Sequence, residues 1–186
     1  MISSTDVHAP RPVEPVTFCR LALADEARLA PLAAMSGLHS LGENAHRRLL
    51  LQRGVVLAAL SFTGDIIGCC CVEPRSIRSY VHLSGRIVSL PPNNAYLCGT
   101  FVHPAHRGRG IGRTLYSKRL GLVEASDIEF VAVEILGQGT PYSLSPGARP
   151  GFSFHTRAGF AIDGYSLEED RGRMLIRRKS RHLTCP

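Results

Sequence analysis

The stretch FVHPAHRGRGIGRTLY, Phe101–Tyr116, decides how the rest of the chain reads. A strand-like apolar run ends in it, a helix-like run leaves it, and the seven positions from Arg107 to Arg113 hold three glycines and three arginines. Small residues at a helix start let several unpaired backbone N–H groups converge on one point, where the helix dipole adds positive character. Glycine also lets that backbone approach a bulky group with no side chain in between. Such a site binds phosphate, and Arg107, Arg109 and Arg113 add donors that match phosphate oxygens. The pattern predicts an anion site, a diphosphate first of all, on Arg107, Gly108, Arg109, Gly110, Ile111, Gly112 and Arg113.

Two common nucleotide motifs do not fit. The gap between Gly108 and Gly112 is one residue short of a Walker loop, and Arg113 stands where its lysine belongs. The dinucleotide fingerprint spaces its last two glycines further apart than Gly110 and Gly112, and His103 to Arg107 lengthen the turn that should be tight.

The flanks of the loop predict a βαβ unit. Residues 95–102, AYLCGTFV, read as one strand, and residues 128–136, IEFVAVEIL, as a near-continuous apolar strand of a sheet interior. Between them Ile111–Glu124 reads as a helix whose apolar stripe is Ile111, Leu115 and Leu122, widened by Tyr116, Leu120 and Val123. Upstream, residues 16–23 read as a strand and 24–38 as a helix with a break hinted at Pro31. Residues 43–54 read as a short helix closed by Gly54, and 55–62 with 66–73 as a hairpin across Thr63-Gly64-Asp65. Residues 75–94 read mostly as loop with room for a short edge strand, a candidate lid or substrate loop. A long turn-rich connection, 137–151, precedes a short helical turn ending at Gly159 and a last strand, RMLIRRK.

With 44% hydrophobic and 20% charged residues, the 186-residue chain has the composition of an ordinary globular protein. It predicts a flexible arm over residues 1–15 and a single domain over 16–186. A balance of 22 Lys+Arg against 15 Asp+Glu leaves +7, which favours a polyanionic partner. Nucleic acid is not expected, because the basic residues do not interleave with the 7 Phe and 5 Tyr, and there is no Trp to stack bases. The first residues lack a basic flank with an apolar core, and no later run is apolar enough to span a bilayer, so a cytoplasmic protein without membrane contact is expected. The six cysteines lack C-x-x-C spacing, and neighbours in Cys69-Cys70-Cys71 point to opposite strand faces, so reduced packing cysteines and no metal are expected.

In this setting the anion loop resembles motif A of the GNAT superfamily of acyl-CoA N-acyltransferases, which runs strand, V-x-P, Arg/Gln-x-x-Gly-x-Gly/Ala, helix. Here it stands as Val102-His103-Pro104 and Arg107-Gly108-Arg109-Gly110-Ile111-Gly112. FHTRAGF, Phe154–Phe160, is similar to the family's motif B, a short helix ending in Gly-Phe. The resemblance spans residues 17–180 and implies an α/β (α+β) fold, with a mixed, V-splayed central sheet of six to seven strands flanked by helices. It implies acetyl-CoA or another acyl-CoA as cosubstrate, and an amine acceptor that takes the acyl group directly. The pantetheine arm would pair with the strand at Phe101 and Val102. The pyrophosphate would lie on backbone N–H groups of Arg107 through Gly112, and Thr114 would add a hydroxyl contact.

The same resemblance assigns the chemistry less completely. His155 holds the motif B position of an acid tyrosine; as an imidazolium it would protonate the leaving thiolate, and the alternative is a packed ring bordering the cofactor. The family's usual base, a Glu on the strand before V-x-P, is missing from AYLCGTFV. Glu134 in VAVEIL is the substitute, since a carboxylate in a buried strand is costly unless paired or functional; a salt-bridged edge is the alternative. His103 and Tyr116 are lesser candidates. Ala148 stands where motif B often has an asparagine, and the 137–151 connection would either shape the acceptor pocket or be an ordinary surface loop. Two other readings stay open: an acyl donor carried on an acidic carrier protein, and a fold that has lost its chemistry and serves as a CoA-binding interaction module.

Overall fold

A computed structural model of the chain describes residues 14–36, 39–74, 78–135, 155, 157–165 and 173–178. The 137–151 connection, and all of the expected arm but its last two residues, lie outside this set. Strand β1 (Thr17–Leu21) leads through a 3-10 turn to three helices, α1 (Glu26–Ser36), α2 (His39–Gly42) and α3 (Asn44–Arg53). Strands β2 (Val55–Leu60), β3 (Ile66–Pro74), β4 (Ser79–His82), β5 (Ile87–Ser89), β6 (Asn94–Tyr96) and β7 (Thr100–Val102) follow. Helix α4 (Ile111–Glu124) and strands β8 (Phe130–Ile135), β9 (Ala161–Tyr165) and β10 (Arg173–Arg178) complete the order.

These strands form one mixed sheet, ordered β1-β2-β3-β6-β8-β10-β9-β4-β5, with β7 paired to β3. The β6–β8 pair is parallel and α4 crosses between them, the predicted βαβ unit; the other pairings among the described residues are antiparallel. Helices cover both faces of the centre, which is why β2 and β3 are apolar throughout rather than alternating. On one face Cys69 and Cys71 pack with Leu29, Leu41 and Leu50 of α1 to α3. On the other Cys70 packs with Ile111 and Leu115 of α4. The described cysteines are free thiols.

Four details depart from the sequence reading. Helix α1 runs through Pro31. One missing N–H costs little beside the burial of Leu29, Leu32 and Ala33 that holds the helix down. Residues 75–94 are more than a loop: β4 and β5 form a hairpin that joins the sheet through β9 and buries Tyr80 against Ala132. On α4, Leu122 is 44% exposed, and the stripe runs Ile111, Leu115, Arg119, Val123, with Arg119 only 2% exposed. A buried arginine is invisible to a count of apolar residues.

The fourth departure matters most. Residues 95–102 are not one strand: β6 ends at Tyr96 and β7 begins at Thr100. Leu97 N–H still bonds the Ala132 carbonyl of β8 at 2.9 Å. Beyond it β8 diverges while β7 stays on β3, in the register Thr100↔Cys70, Phe101↔Cys69, Val102↔Gly68. The sheet therefore opens between β7 and β8 in the V expected from the resemblance.

Candidate active site at the strand break

The glycine loop leaves the end of β7. His103 caps a 3-10 turn, Pro104–His106, by accepting from Ala105 N–H at 3.2 Å. Gly108 and Gly110 then take φ of 79° and 77°, the left-handed region that disfavours a side chain even where, as here, a Cβ would meet nothing. Gly110 is the N-cap of α4 and offers no side chain to the first turn. The first i→i−4 bond is Thr114 N–H to Gly110 O, 3.0 Å. The N–H groups of Ile111, Gly112 and Arg113 have no acceptor among the described residues, so they face outward at the positive end of a 14-residue helix.

The arginines around this loop brace it. Arg107 Nε donates to Val102 O at 3.0 Å, and its guanidinium lies over the Phe101 ring, 5.6 Å from the centroid. Arg109 donates to the Glu14 carbonyl at 2.9 Å and lies 3.1 Å from His106 Nδ1. Arg113 is exposed, and the Thr114 hydroxyl donates back to Gly110 O at 3.3 Å. Phe101 is buried on the α1-to-α3 face, and Val102 packs toward α4.

The strand break Leu97-Cys98-Gly99 carries polar groups on both faces. On the α4 face, Tyr116 Oη lies 2.8 Å from His155 Nδ1, and the His155 ring packs edge-on against Tyr116 and Phe160. Motif B is thus brought against motif A. One turn further along α4, Arg119 Nη1 donates to Cys98 O at 2.8 Å, with longer bonds to Cys71 O at 3.3 Å and Gly99 O at 3.4 Å. Its guanidinium stacks over Tyr116, 5.1 Å from the ring centroid. Its Nε is buried without a partner, and among the described residues no carboxylate pairs with it. Burial first, and then this cation, push the His155 imidazole down to about 4. At neutral pH the ring is neutral, so the imidazolium expected from sequence does not form there.

On the opposite face stands a carboxylate that the sequence reading passed over. Glu73, near the end of β3, holds its Oε2 3.5 Å from His46 Nε2 of α3 and 3.8 Å from Cys98 Sγ at the break. Its signal in the sequence was an acid closing the apolar run IIGCCCV. Glu134 lies on β8 opposite Met174, and its side chain is outside the described set. Among the described residues there is no cluster of His, Cys, Asp and Glu that could hold a metal, and no helix long and apolar enough to cross a membrane.

Comparison with known proteins agrees with this geometry. The profile of the Acetyltransferase (GNAT) family matches residues 27–136. No curated protein matches the chain in sequence. Among solved structures, the chain is similar to PaiA N-acetyltransferase from Thermoplasma acidophilum in complex with coenzyme A, at 16% identity and TM-score 0.57 over 89% of this chain and 99% of that one. It is similar to a GNAT superfamily phosphinothricin acetyltransferase from Sinorhizobium meliloti in complex with AcCoA, at 18% identity and TM-score 0.58 over 88% of both chains. An IAA acetyltransferase from Bacillus cereus matches at 14% identity and TM-score 0.58 over 89% of this chain and 100% of its own. At these identities the likeness speaks for the fold.

Proposed function

The chain belongs to the GNAT acetyltransferase family, and from that premise we propose that it is an N-acyltransferase, moving an acyl group, acetyl above all, from a CoA thioester to an amine by direct transfer. The observation that carries this reading is the strand break: among the described residues β7 has a free edge where β8 diverges, and the unpaired N–H groups of α4 begin just beyond its end. A pantetheine arm fits the free edge at Phe101 and Val102, and a diphosphate fits the N–H groups of the 107–112 loop. For Arg107 and Arg109 to reach phosphate oxygens, each must give up the contacts it makes with Val102 or with Glu14 and His106. The bound thioester supplies an activated acyl carbon; the chain's residues position it and manage charge.

On the α4 side His155 acts as a neutral ring. With the Tyr116 hydroxyl donating to Nδ1, the ring carries its proton on Nε2, from where it can hydrogen-bond the departing sulfur without giving the proton up. Arg119 holds the carbonyls of the break in place and contributes positive charge, paired with no carboxylate among the described residues, near the sulfur's destination. Residues 16–186 make up the acyltransferase domain in this reading, acting as a cytoplasmic enzyme. The net charge of +7 also admits a carrier-protein donor, since both donors present a phosphopantetheine arm. Calorimetry with CoA, followed by acetyl-CoA turnover read as free thiol against small amines, tests the proposal. CoA binding with thiol release is expected. Binding without turnover would mark a CoA-binding module instead, and absence of binding would end the reading altogether.

A further inference from the structure

Resting on the acyltransferase reading, we propose that Glu73, positioned by His46, is the general base of the reaction, and that the cavity it lines receives a small cationic amine. An attacking amine must shed a proton, and the group that takes it has to sit beside the reacting carbon, away from the sulfur. The strand break separates two such places. Cys69 and Cys71 of β3 face α1 to α3 while Cys70 faces α4, so alternation puts Glu73 on the α1-to-α3 face. His155, Tyr116 and Arg119 occupy the other face of the same break.

The carboxylate is held where a base is needed. Glu73 pairs in register with Tyr96, the last residue of β6 before the sheet opens. Cys98 Sγ, inside the break, lies 3.8 Å from both Glu73 Oε2 and Tyr96 O, the two acceptors open to its one proton, and burial followed by Glu73 itself pushes that thiol up to about 12, so it stays a neutral donor. His46 Nε2 lies 3.5 Å from the same oxygen without the alignment of a hydrogen bond. The charged and titratable groups near Glu73 are therefore His46 from α3, Cys98 and Tyr96 from the central strand, and Arg53 and Asp127 across the cavity.

That cavity, about 600 Å3, is walled by Leu49 and Leu50 of α3 and by Asn94, with Glu73, Asp127 and Arg53 as its charged groups. Its size suits a small molecule. Two carboxylates against one guanidinium favour a cation, and the leucines offer an apolar wall for a short carbon body. In the step itself the amine nitrogen bonds the acyl carbon as the C–S bond breaks. Glu73 first takes one proton from the bound ammonium, which frees the nitrogen lone pair for attack, and the electron pair of the C–S bond leaves on sulfur, which takes the second proton shed by the nitrogen to become the CoA thiol. Glu73 then returns its proton to solvent, and nothing is oxidised or reduced.

The test uses the full chain with acetyl-CoA as donor and propylamine and phenethylamine as probes. Glu73→Gln is expected to lower kcat by about 10²- to 10⁴-fold, to remove the acidic limb of the pH–rate profile, and to leave CoA affinity by calorimetry unchanged. Glu73→Asp, which keeps a carboxylate at a longer reach, is expected to recover part of the rate and to retain the limb. His46→Asn, a positioning change, is expected to move that limb and to lower kcat by less than the Gln variant. Wild-type rate and profile in the Gln variant would overturn the inference, as would loss confined to Glu134→Gln or transfer to neither probe by a CoA-binding protein. A wild-type chain that fails to bind CoA would instead sink the acyltransferase reading beneath it.

Discussion

His155 gives the sharpest test of the site's electrostatics, because its ring is held neutral by a fixed arrangement rather than by solution pH. Burial and then Arg119 lower the imidazole from 6.5 to about 4 in the folded chain. The unfolded chain binds this proton below about pH 6.5, and the folded chain refuses it until near pH 4. The associated stability is therefore complete above pH 6.5 and drains away as pH falls toward 4, the direction set by greater proton uptake in the unfolded state. A drop of this size is worth at most about 3 kcal/mol. The ring keeps partial exposure, and solvent screening brings the expected effect to roughly 1–2 kcal/mol. His155→Gln keeps a polar side chain and removes the titration. Urea unfolding of both proteins between pH 7 and pH 4 should show the wild type losing roughly 1–2 kcal/mol more than the variant. Histidine resonances followed by NMR should show one ring titrating near pH 4. A stability difference independent of pH, with every histidine titrating near 6.5, would refute the claim that Arg119 and burial hold His155 neutral.

Gly110→Asp puts a side chain on a backbone at φ 77° and a negative charge beside the free N–H groups of α4. CoA affinity by calorimetry should fall by at least about 100-fold, from charge repulsion and a displaced backbone together, while the far-ultraviolet spectrum stays native. Arg107→Ala and Arg109→Ala should weaken CoA several-fold more than dephosphorylated pantetheine if the side chains leave Val102 O and Glu14 O for phosphate. Equal losses for both ligands would confine the arginines to bracing the loop. Arg119→Met removes the donor held by the Cys98, Cys71 and Gly99 carbonyls. Thermal unfolding should show a loss of about 2 kcal/mol, the cost of buried carbonyls that lose their charged donor offset in part by relief of a buried charge with no carboxylate partner among the described residues. The His155 ring should then titrate at higher pH, and an unchanged titration would separate the two residues.

Much of this architecture was readable because local physics and global packing agree. Alternating faces in Cys69-Cys70-Cys71, a Gly-Asp turn between two apolar runs, and a glycine-rich helix start are each decided within a few residues, and each stands in the structure. The hairpin at 79–89 was missed for the opposite reason. Its sequence is polar and irregular, and it becomes sheet through pairing with β9, which lies some 80 residues away in the chain. Pro31 looked like a helix end because its own cost is local, whereas the Leu29, Leu32 and Ala33 contacts that outweigh it come from the rest of the fold.

The site follows the same division. The glycine-rich start of α4 could be placed to the residue, since it is decided by the residues of the turn itself. The strand break could not, because AYLCGTFV is continuous as a sequence and divides only where β8 leaves it. Once the break exists, it decides which side chains matter. Arg119 looks like a solvent-facing charge in a helix read by hydrophobic count, yet at i, i+4 and i+8 from Ile111 it points into the sheet and meets the carbonyls that the break exposes. A leucine there would donate to none of them and would leave Cys98 O only its 3.4 Å bond from Cys71 N–H, so the buried cation steadies the divided strand. The neutral state of His155 follows first from burial and then from that pairing, because the cation that steadies the break also helps keep a proton off the ring.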